Sequence, residues 1–303
     1  MSIKITIGVC VKNGEDKIKA AFNSIAIQDY PHSNLKVVIV DNGSTDGTLS
    51  LAKKFAEQID IKTFVTSSKG KGLGETRQIV VCNAEGDYIV WVDDDLVLQK
   101  NFVRSQFEFM ENRPHVGAAK AVAVQPATTN IIGVIDNLNL VSSTLSNPET
   151  IGTGGSIFRL KALKQVGGFD TEVRGAGEDL DVSKRISAAG WLLATNKSAK
   201  LHKACPPKNI NQLWRRNFWY GYGNHFLFQK YRDVRIPKEY LLPFFLWGGL
   251  KISCLIYRKN QDKKMLFFPS LYFFGEFAQI MGFILGNIQQ YGPKVNSRRK
   301  TSS

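Results

Sequence analysis

Three adjacent carboxylates, Asp93, Asp94 and Asp95, follow the apolar run Tyr88-Ile89-Val90-Trp91-Val92. A buried strand cannot absorb three negative charges, because an unpaired buried ion is either very costly or gives up its charge. The carboxylates therefore belong at the strand's mouth. Side chains alternate along a strand, so Asp93 and Asp95 fall on one side and Asp94 on the other. Two carboxylates on one side suit a hard divalent cation holding a phosphate; the plainer reading is a solvated acidic turn. A second acidic pair, Glu178-Asp179, opens a helix expected over about Leu180 to Ala189, where the helix dipole favours a carboxylate. Asp41 ends another apolar run, Leu35 to Val40, in the turn Asp41-Asn42-Gly43-Ser44-Thr45-Asp46-Gly47-Thr48. There Ser44 or Asp46 can cap the following helix while Asp41 stays free for a ligand.

The elements that must position these groups follow from periodicity. Ile3 to Val11 reads as a buried strand, broken by Asn13-Gly14-Glu15-Asp16, and Lys17 to Ala26 as a helix with Ile18, Ala21, Phe22 and Ile25 on one stripe. Strand Leu35 to Val40, helix Thr48 to Gln58, strand Lys62 to Thr66 and helix Glu75 to Ala84 continue the rhythm, which describes right-handed βαβ units in a mainly parallel sheet. Such sheets bind ligands beyond the carboxyl ends of their strands. Ser67 to Gly74 is a basic, glycine-rich loop ahead of Arg77, but its lysines are misplaced for a phosphate loop and no Ser or Thr follows them. Beyond the acidic mouth come a helix from Asn101 to Glu111 and a strand from Val116 to Val124. Residues 125–150, rich in Asn, Thr and Ser, read as a variable connection near a second substrate. Gly152-Thr153-Gly154-Gly155 has too many glycines for a strand interior and suggests close approach of a ligand or a sharp turn.

The net charge of +14 on 303 residues is unevenly spread. Residues 1–196 carry 21 Lys and Arg against 22 Asp and Glu, whereas 197–303 carry 19 against 4. That asymmetry points to an anionic partner for the last third, nucleic acid or an anionic membrane face. Cys10, Cys82, Cys205 and Cys254 form no CxxC pair, which argues against a disulfide framework or a thiolate zinc site and fits a reducing compartment. A strand beginning at Ile3 leaves no room for a signal peptide.

Asn13 and Glu15 after the first strand, Val40 to Thr48, Arg77 ahead of Ala84-Glu85-Gly86-Asp87, the Asp93 to Asp95 cluster, Gly167-Gly168-Phe169-Asp170 and Glu178-Asp179 stand in the order seen in family 2 glycosyltransferases. Over roughly residues 3–225 the chain resembles that family. The resemblance implies an α/β fold of the GT-A type, a Rossmann-like α/β/α sandwich with a mainly parallel mixed sheet. It implies nucleotide-sugar binding by Val11, Asn13, Glu15, Asp41, Arg77, Asp93 and Asp94, with Asp41 on the base and Asp93 on the ribose or sugar. It implies Mg²⁺ or Mn²⁺ on Asp95, with Asp93 and His202 as further ligands, and Asp179, with Glu178 beside it, as the catalytic base. Cys10 stands where the family usually has proline.

Gln212 and Arg215 fit the Q-x-x-R-W motif of processive synthases, but Arg216 replaces its Trp. Arg215 and Arg216 are candidates for stabilising the departing diphosphate. Tyr240 to Tyr257 and Met265 to Ile288 are apolar and near membrane-spanning length. Two spans would put the basic Arg258 to Lys264 outside the cytoplasm, so interfacial or re-entrant helices are favoured over a hairpin. The expectation is a catalytic domain over 1–225 and a membrane-associating helical region over 226–303 at the cytoplasmic face of the cell membrane. The activity expected is metal-dependent, inverting transfer of a sugar from a nucleotide-diphosphate donor to a lipid-linked or glycan acceptor, with no nucleic acid partner. Two alternatives stand beside it. A nucleotidyltransferase also pairs Asp residues with Mg²⁺, but would need a basic loop where Asn13-Gly14-Glu15-Asp16 is acidic. A non-catalytic protein binding nucleic acid or anionic membrane would explain the basic last third.

Overall fold

The structure is a computed structural model that describes residues 3–68, 70–124, 132, 148–204, 209–231 and 268–293. The Tyr240 to Tyr257 segment, and all of 125–150 except 132 and 148–150, lie outside those residues. The chain divides into two compact units, Met1–Arg174 with Glu178–Lys208, and Gly175–Gly177 with Asn209–Ser303. The boundary drawn from sequence at 225/226 would cut a continuous helix, Ile210–Lys230, in which each turn is hydrogen-bonded to the next.

The first unit is built on an eight-stranded mixed sheet, in the order β3-β2-β1-β4-β7-β6-β8-β5. The strands are β1 (Ile5–Val11), β2 (Leu35–Asp41), β3 (Lys62–Ser67), β4 (Tyr88–Asp93), β5 (Leu96–Leu98), β6 (Val116–Ala123), β7 (Ser156–Arg159) and β8 (Leu192–Lys203). Strands β3, β2, β1 and β4 are mutually parallel, as the alternation of strand and helix requires. β7 enters antiparallel to β4 and β6. β1 and β4 meet where the chain order switches direction, and the crevice beyond their carboxyl ends is where such sheets take ligands.

Near-continuous apolar runs form these central strands because helices cover both faces. Ile5, Ile7 and Val9, with Tyr88, Val90 and Val92, bury one face against α1 (Ile18–Ala26), α2 (Thr48–Gln58) and α4 (Phe102–Glu111). Phe22 of α1 stacks on Phe55 of α2 with ring centroids 4.2 Å apart. Ile89 and Trp91 point the other way, to α3 (Leu73–Asn83), α5 (Leu160–Gln165) and α6 (Glu178–Ala188). The period of two then places Asp93 on the α3 face, in line with Ile89 and Trp91. Gly8 lets that helix lie close: a Cβ there would stand 2.6 Å from Val80 Cγ1 and 3.0 Å from Trp91.

Asp94 and Asp95 alone separate β4 from β5, yet β5 is the last strand of the sheet. Two residues reach only about 10 Å, so the β7-β6-β8-β5 half curls round until β5 stands beside the end of β4. The backbone N–H of Ala204 donates to Asp95 O at 2.7 Å and closes the curl. In the second unit, α7 (Ile210–Lys230) and α8 (Phe268–Ile288) pack along each other.

Gly86 turns the chain into β4 at φ +87, and a Cβ there would lie 2.4 Å from the Lys4 carbonyl oxygen. Gly86→Ala is expected to cost about 2 kcal/mol of stability, measured as a lower urea midpoint at unchanged slope; an unmoved midpoint would refute the strain.

Candidate active site

The parallel register brings the strand ends level. Val11 pairs with Asp41, Cys10 with Asp93, and Asp41 with Ser67, so the Asp41 and Asp93 carboxylates come from the same edge of the sheet. Asp41 Oδ2 accepts the Gly43 and Ser44 N–H groups at 3.1 and 3.0 Å. Its Oδ1 is buried and has no hydrogen-bond partner among the described residues. A buried acceptor left open at a sheet edge is suited to a ligand donor.

The loops on either side of that edge are tied to each other. Asn13, at φ +49, accepts the Thr45 N–H on its Oδ1 at 2.9 Å and donates its own N–H to Ser44 Oγ. Glu15 Oε2 accepts the Gly47 N–H at 2.8 Å. The polar groups of both residues thus hold the turn that carries Asp41. Val11 supplies the carbonyl that accepts the Asn42 N–H at 2.8 Å.

Arg77 occupies the centre. It stands on the sheet-facing side of α3 and is only 5% exposed. Its guanidinium reaches Glu178 Oε1 at 3.1 Å and Asp93 Oδ1 at 3.5 Å, and lies over the Trp91 ring at 5.8 Å. Arg77 thus joins Asp93 to the start of α6. Burial acts to lower its pKa, but Glu178 and then Asp93 outweigh that effect and hold it charged. Glu178 is also buried, and loss of solvent raises its pKa to about 7 against the opposing pull of Arg77. Cys10, beside the same groups, is pushed by burial up to about 12 and stays a neutral thiol.

The three carboxylates of the opening cluster find three different cations. Asp93 meets Arg77, Asp94 meets Lys17 at 3.0 Å, and Asp95 meets Lys203 at 3.5 Å. Asp93 keeps 42% of its side-chain surface open to the crevice, although the walls around it desolvate the charge. Burial raises all three carboxyl pKa values, most directly opposed by Arg77, Lys17 and Lys203 respectively. Lys17 and Lys203 were missed from sequence, since only the fold shows which of many lysines meets which carboxylate.

Asp179 comes from the first turn of α6, where its Oδ1 accepts the Leu180 N–H at 2.8 Å. The glycine strip before β7 links it to Asp93. The Gly155 N–H donates to Trp91 O at 2.9 Å, and Ile151 exchanges two hydrogen bonds with the Ser183 hydroxyl of α6. A Cβ on Gly154 would lie 2.6 Å from Asp93 Oδ2, and one on Gly152 would lie 3.5 Å from Asp179 Oδ2. Gly154 leaves room for the Asp93 carboxylate, and the Asp179 carboxylate lies in ordinary contact range of Gly152 in the same short strip. Glu178 is sequestered on Arg77, so Asp179 is the member of the pair with surface left open.

His202 shares no ligand cluster with Asp93 and Asp95, and among the described residues no three His, Cys, Asp or Glu side chains converge as a metal set. In β8 it is the neighbouring Lys203 that reaches Asp95. Arg215 and Arg216 lie on α7 of the second unit.

The sequence model of glycosyl transferase family 2 matches residues 6–165, and that of glycosyl transferase family group 2 matches residues 88–280. The chain belongs to glycosyl transferase family 2. The poly(ribitol-phosphate) beta-N-acetylglucosaminyltransferase TarS of Staphylococcus aureus is 30% identical over 109 residues, 36% of this chain and 19% of that protein. The poly-beta-1,6-N-acetyl-D-glucosamine synthase of the same organism is 23% identical over 230 residues, 73% of this chain and 54% of that one. The chain thus spans from about a fifth to about half of the length of these relatives. Among solved structures, the mannosyltransferase PcManGT of Pyrobaculum calidifontis, in complex with GDP-Man and Mn²⁺, superposes with a TM-score of 0.68 at 19% identity, covering 94% of this chain and 88% of that one. S. aureus TarS residues 1–349 with UDP-GlcNAc gives 0.52 at 16% identity, covering 95% and 92%. The fold is that of these GT-A neighbours.

An unfolded glutamate titrates at about 4.5, so the folded protein holds an extra proton on Glu178 between there and about 7. The stability linked to this group is therefore present at low pH and lost as pH rises through that window. The melting temperature of the wild type relative to Glu178→Gln is expected to fall from pH 5 to 7 and level off above; a pH-independent difference would contradict the buried, titrating Glu178.

Proposed function

We propose that the protein is a metal-dependent inverting glycosyltransferase that takes a nucleoside-diphosphate sugar as donor and a hydroxyl or phosphate group of a lipid-linked or cell-envelope glycan as acceptor. The carrying observation is the pairing of Asp93 and Asp179 across the Gly152–Gly155 strip, with Arg77 and Glu178 behind them. One carboxylate serves the donor side of the crevice and the other the acceptor side.

Asp41 accepts a hydrogen bond from the base through its open Oδ1. Asp93 holds the ribose or sugar, and Asp94 is kept from the donor by Lys17. Asp179 takes the proton of the acceptor hydroxyl as the oxygen attacks the anomeric carbon. Because the base stands apart from the group that binds the leaving side, attack is in line and the configuration inverts.

The residues present suit a divalent cation. Asp93 and Asp95 are hard oxygen donors, desolvated and mutually repelling, and only partly compensated by Arg77 and Lys203. Mg²⁺ or Mn²⁺ takes few protein carboxylates and completes its shell with phosphate oxygens and water. Asp95 and Asp93 would hold it, and it would supply charge neutralisation on the leaving diphosphate. The Mn²⁺ and GDP-Man of PcManGT and the UDP-GlcNAc of TarS support this reading and name the first donors to try.

The protein works at the cytoplasmic face of the cell membrane, where nucleotide sugars are made. This is supported by the basic last third and by one helix within α8, Pro269–Ile288, long and apolar enough to cross a bilayer.

A panel of nucleotide sugars with Mg²⁺ or Mn²⁺, scored for donor hydrolysis and metal-dependent binding, tests the function; no response to any donor would defeat it. Asp179→Asn should leave donor affinity unchanged and cut transfer by roughly 10²–10⁴-fold, whereas equal loss of both would remove Asp179 as base. Gly154→Ala should weaken donor binding by about tenfold by displacing the Asp93 carboxylate, read as the donor Kd by calorimetry; an unchanged Kd would free Asp93 from the donor.

A further inference from the structure

The two described helices of the second unit carry information about how it meets lipid. Helix α8 has two unlike faces. One is notched by glycines and locked to α7. A Cβ on Gly282 would lie 2.0 Å from the Phe218 carbonyl oxygen, and one on Gly286 would lie 2.8 Å from His225 Cβ. A Cβ on Gly221 of α7 would lie 1.9 Å from the Gln279 carbonyl oxygen. Asn217 faces Gly275, and Gln279 donates to Asn217 Oδ1 at 3.3 Å. The contacts advance together along both chains, so the helices run parallel and side by side over most of their length.

The other face of α8 is apolar and open. Phe273, Phe277, Met281, Ile284 and Ile288 are each between 38% and 71% exposed. Their spacing of four, four, three and four residues puts them on a single stripe. Glu276 is the one Asp, Glu, Lys or Arg of α8.

A helix crossing a bilayer would carry its locked partner with it. α7 bears Arg215, Arg216, Asn224, Gln229 and Lys230, spread from its first turns to its last. Taking those groups through the hydrocarbon core is costly, and the glycine contacts are too close for α8 to leave without them. A helix lying along the surface has no such conflict. Its apolar stripe enters the boundary between headgroups and acyl chains while its partner remains on the wet side. The surface expected is anionic, because residues 197–303 carry 19 Lys and Arg against 4 Asp and Glu.

We propose that α8 lies in the plane of an anionic lipid surface, inserted through Phe273, Phe277, Met281, Ile284 and Ile288, and does not span the membrane. This deepens the membrane-associated reading above and rests on it.

The test uses the full-length protein with vesicles of phosphatidylcholine alone and of phosphatidylcholine with an equal part of phosphatidylglycerol. Wild type should co-sediment with the anionic vesicles. Phe277→Glu combined with Ile284→Glu should weaken that binding by at least about tenfold with the thermal transition and donor hydrolysis retained; the Phe277→Ser, Ile284→Ser pair replaces it if the charged variant does not fold. Undiminished binding by the folded variant would overturn the proposal. A fluorescent amino acid placed in turn at 273, 281 and 288 reads depth against brominated lipids. Equal shallow quenching supports the in-plane helix, and depth graded from one end to the other overturns it in favour of a span. A lipid-free dimer of the wild type that the same pair of substitutions dissolves would reassign the stripe to a second copy of this chain. Donor hydrolysis in detergent, measured alongside, separates failure of this surface from failure of the glycosyltransferase reading.

Discussion

A guanidinium buried between two carboxylates organises this site. Arg77 reaches forward to Asp93 at the end of β4 and across to Glu178 at the start of α6, joining elements 85 residues apart (178 − 93). Such an arrangement is a poor source of net stability, since desolvating three charges consumes most of what their attraction returns. Its value is positional. With Arg77 in place, both carboxylates have a fixed geometry, and Asp179, one residue beyond Glu178, emerges from the first turn of α6 beside the crevice. Loss of Arg77 leaves Glu178 without its cation in a buried place, and loss of Glu178 leaves Arg77 with only the partly open Asp93, so the buried pair is costly to break.

Close packing makes that arrangement possible. Gly8 leaves room for Val80 of α3 and for the Trp91 ring of β4, so α3 lies close on the sheet, and the Arg77 guanidinium lies over that ring. Gly154 does the same for Asp93, whose Oδ2 would lie 2.6 Å from a Cβ there. Glycine weakens helices and strands, and here it stands where a side chain would occupy the space of a reacting group. The lysines on Asp94 and Asp95 moderate a cluster that would otherwise repel the anionic donor, while leaving Asp93 open to the crevice.

The second unit uses glycine for another purpose. Where Gly221 of α7 and Gly282 of α8 meet the other helix, backbone lies against backbone, Phe274 and Phe283 flank the contact on Trp214 and on His225 and Phe228, and the exposed apolar stripe lies on the other side. A helix apolar enough to cross a bilayer is thereby given a direction, with one face committed to protein and one left for lipid.

Much of the first unit was legible in the residues alone. Alternating apolar periods located β1 to β4 and α1 to α4 to within a few positions, because local sterics and burial on both faces of a parallel sheet leave little freedom. Carboxylates at the ends of apolar runs marked Asp41, Asp93 and the start of α6 for the same reason: charge cannot stay inside. Other features were set by the tertiary structure. β8 and the antiparallel β7 have no strong period of their own and form because the curled half of the sheet offers them edges. The partners of the acidic cluster, Lys17, Lys203 and Arg77, come from positions 17, 203 and 77. Residue types and spacing therefore determined that this chain has an acidic sheet edge, since that follows from local burial. Which carboxylate is paired, which is sequestered and which is left open depends on distances between segments remote in sequence, and only the folded chain decides them.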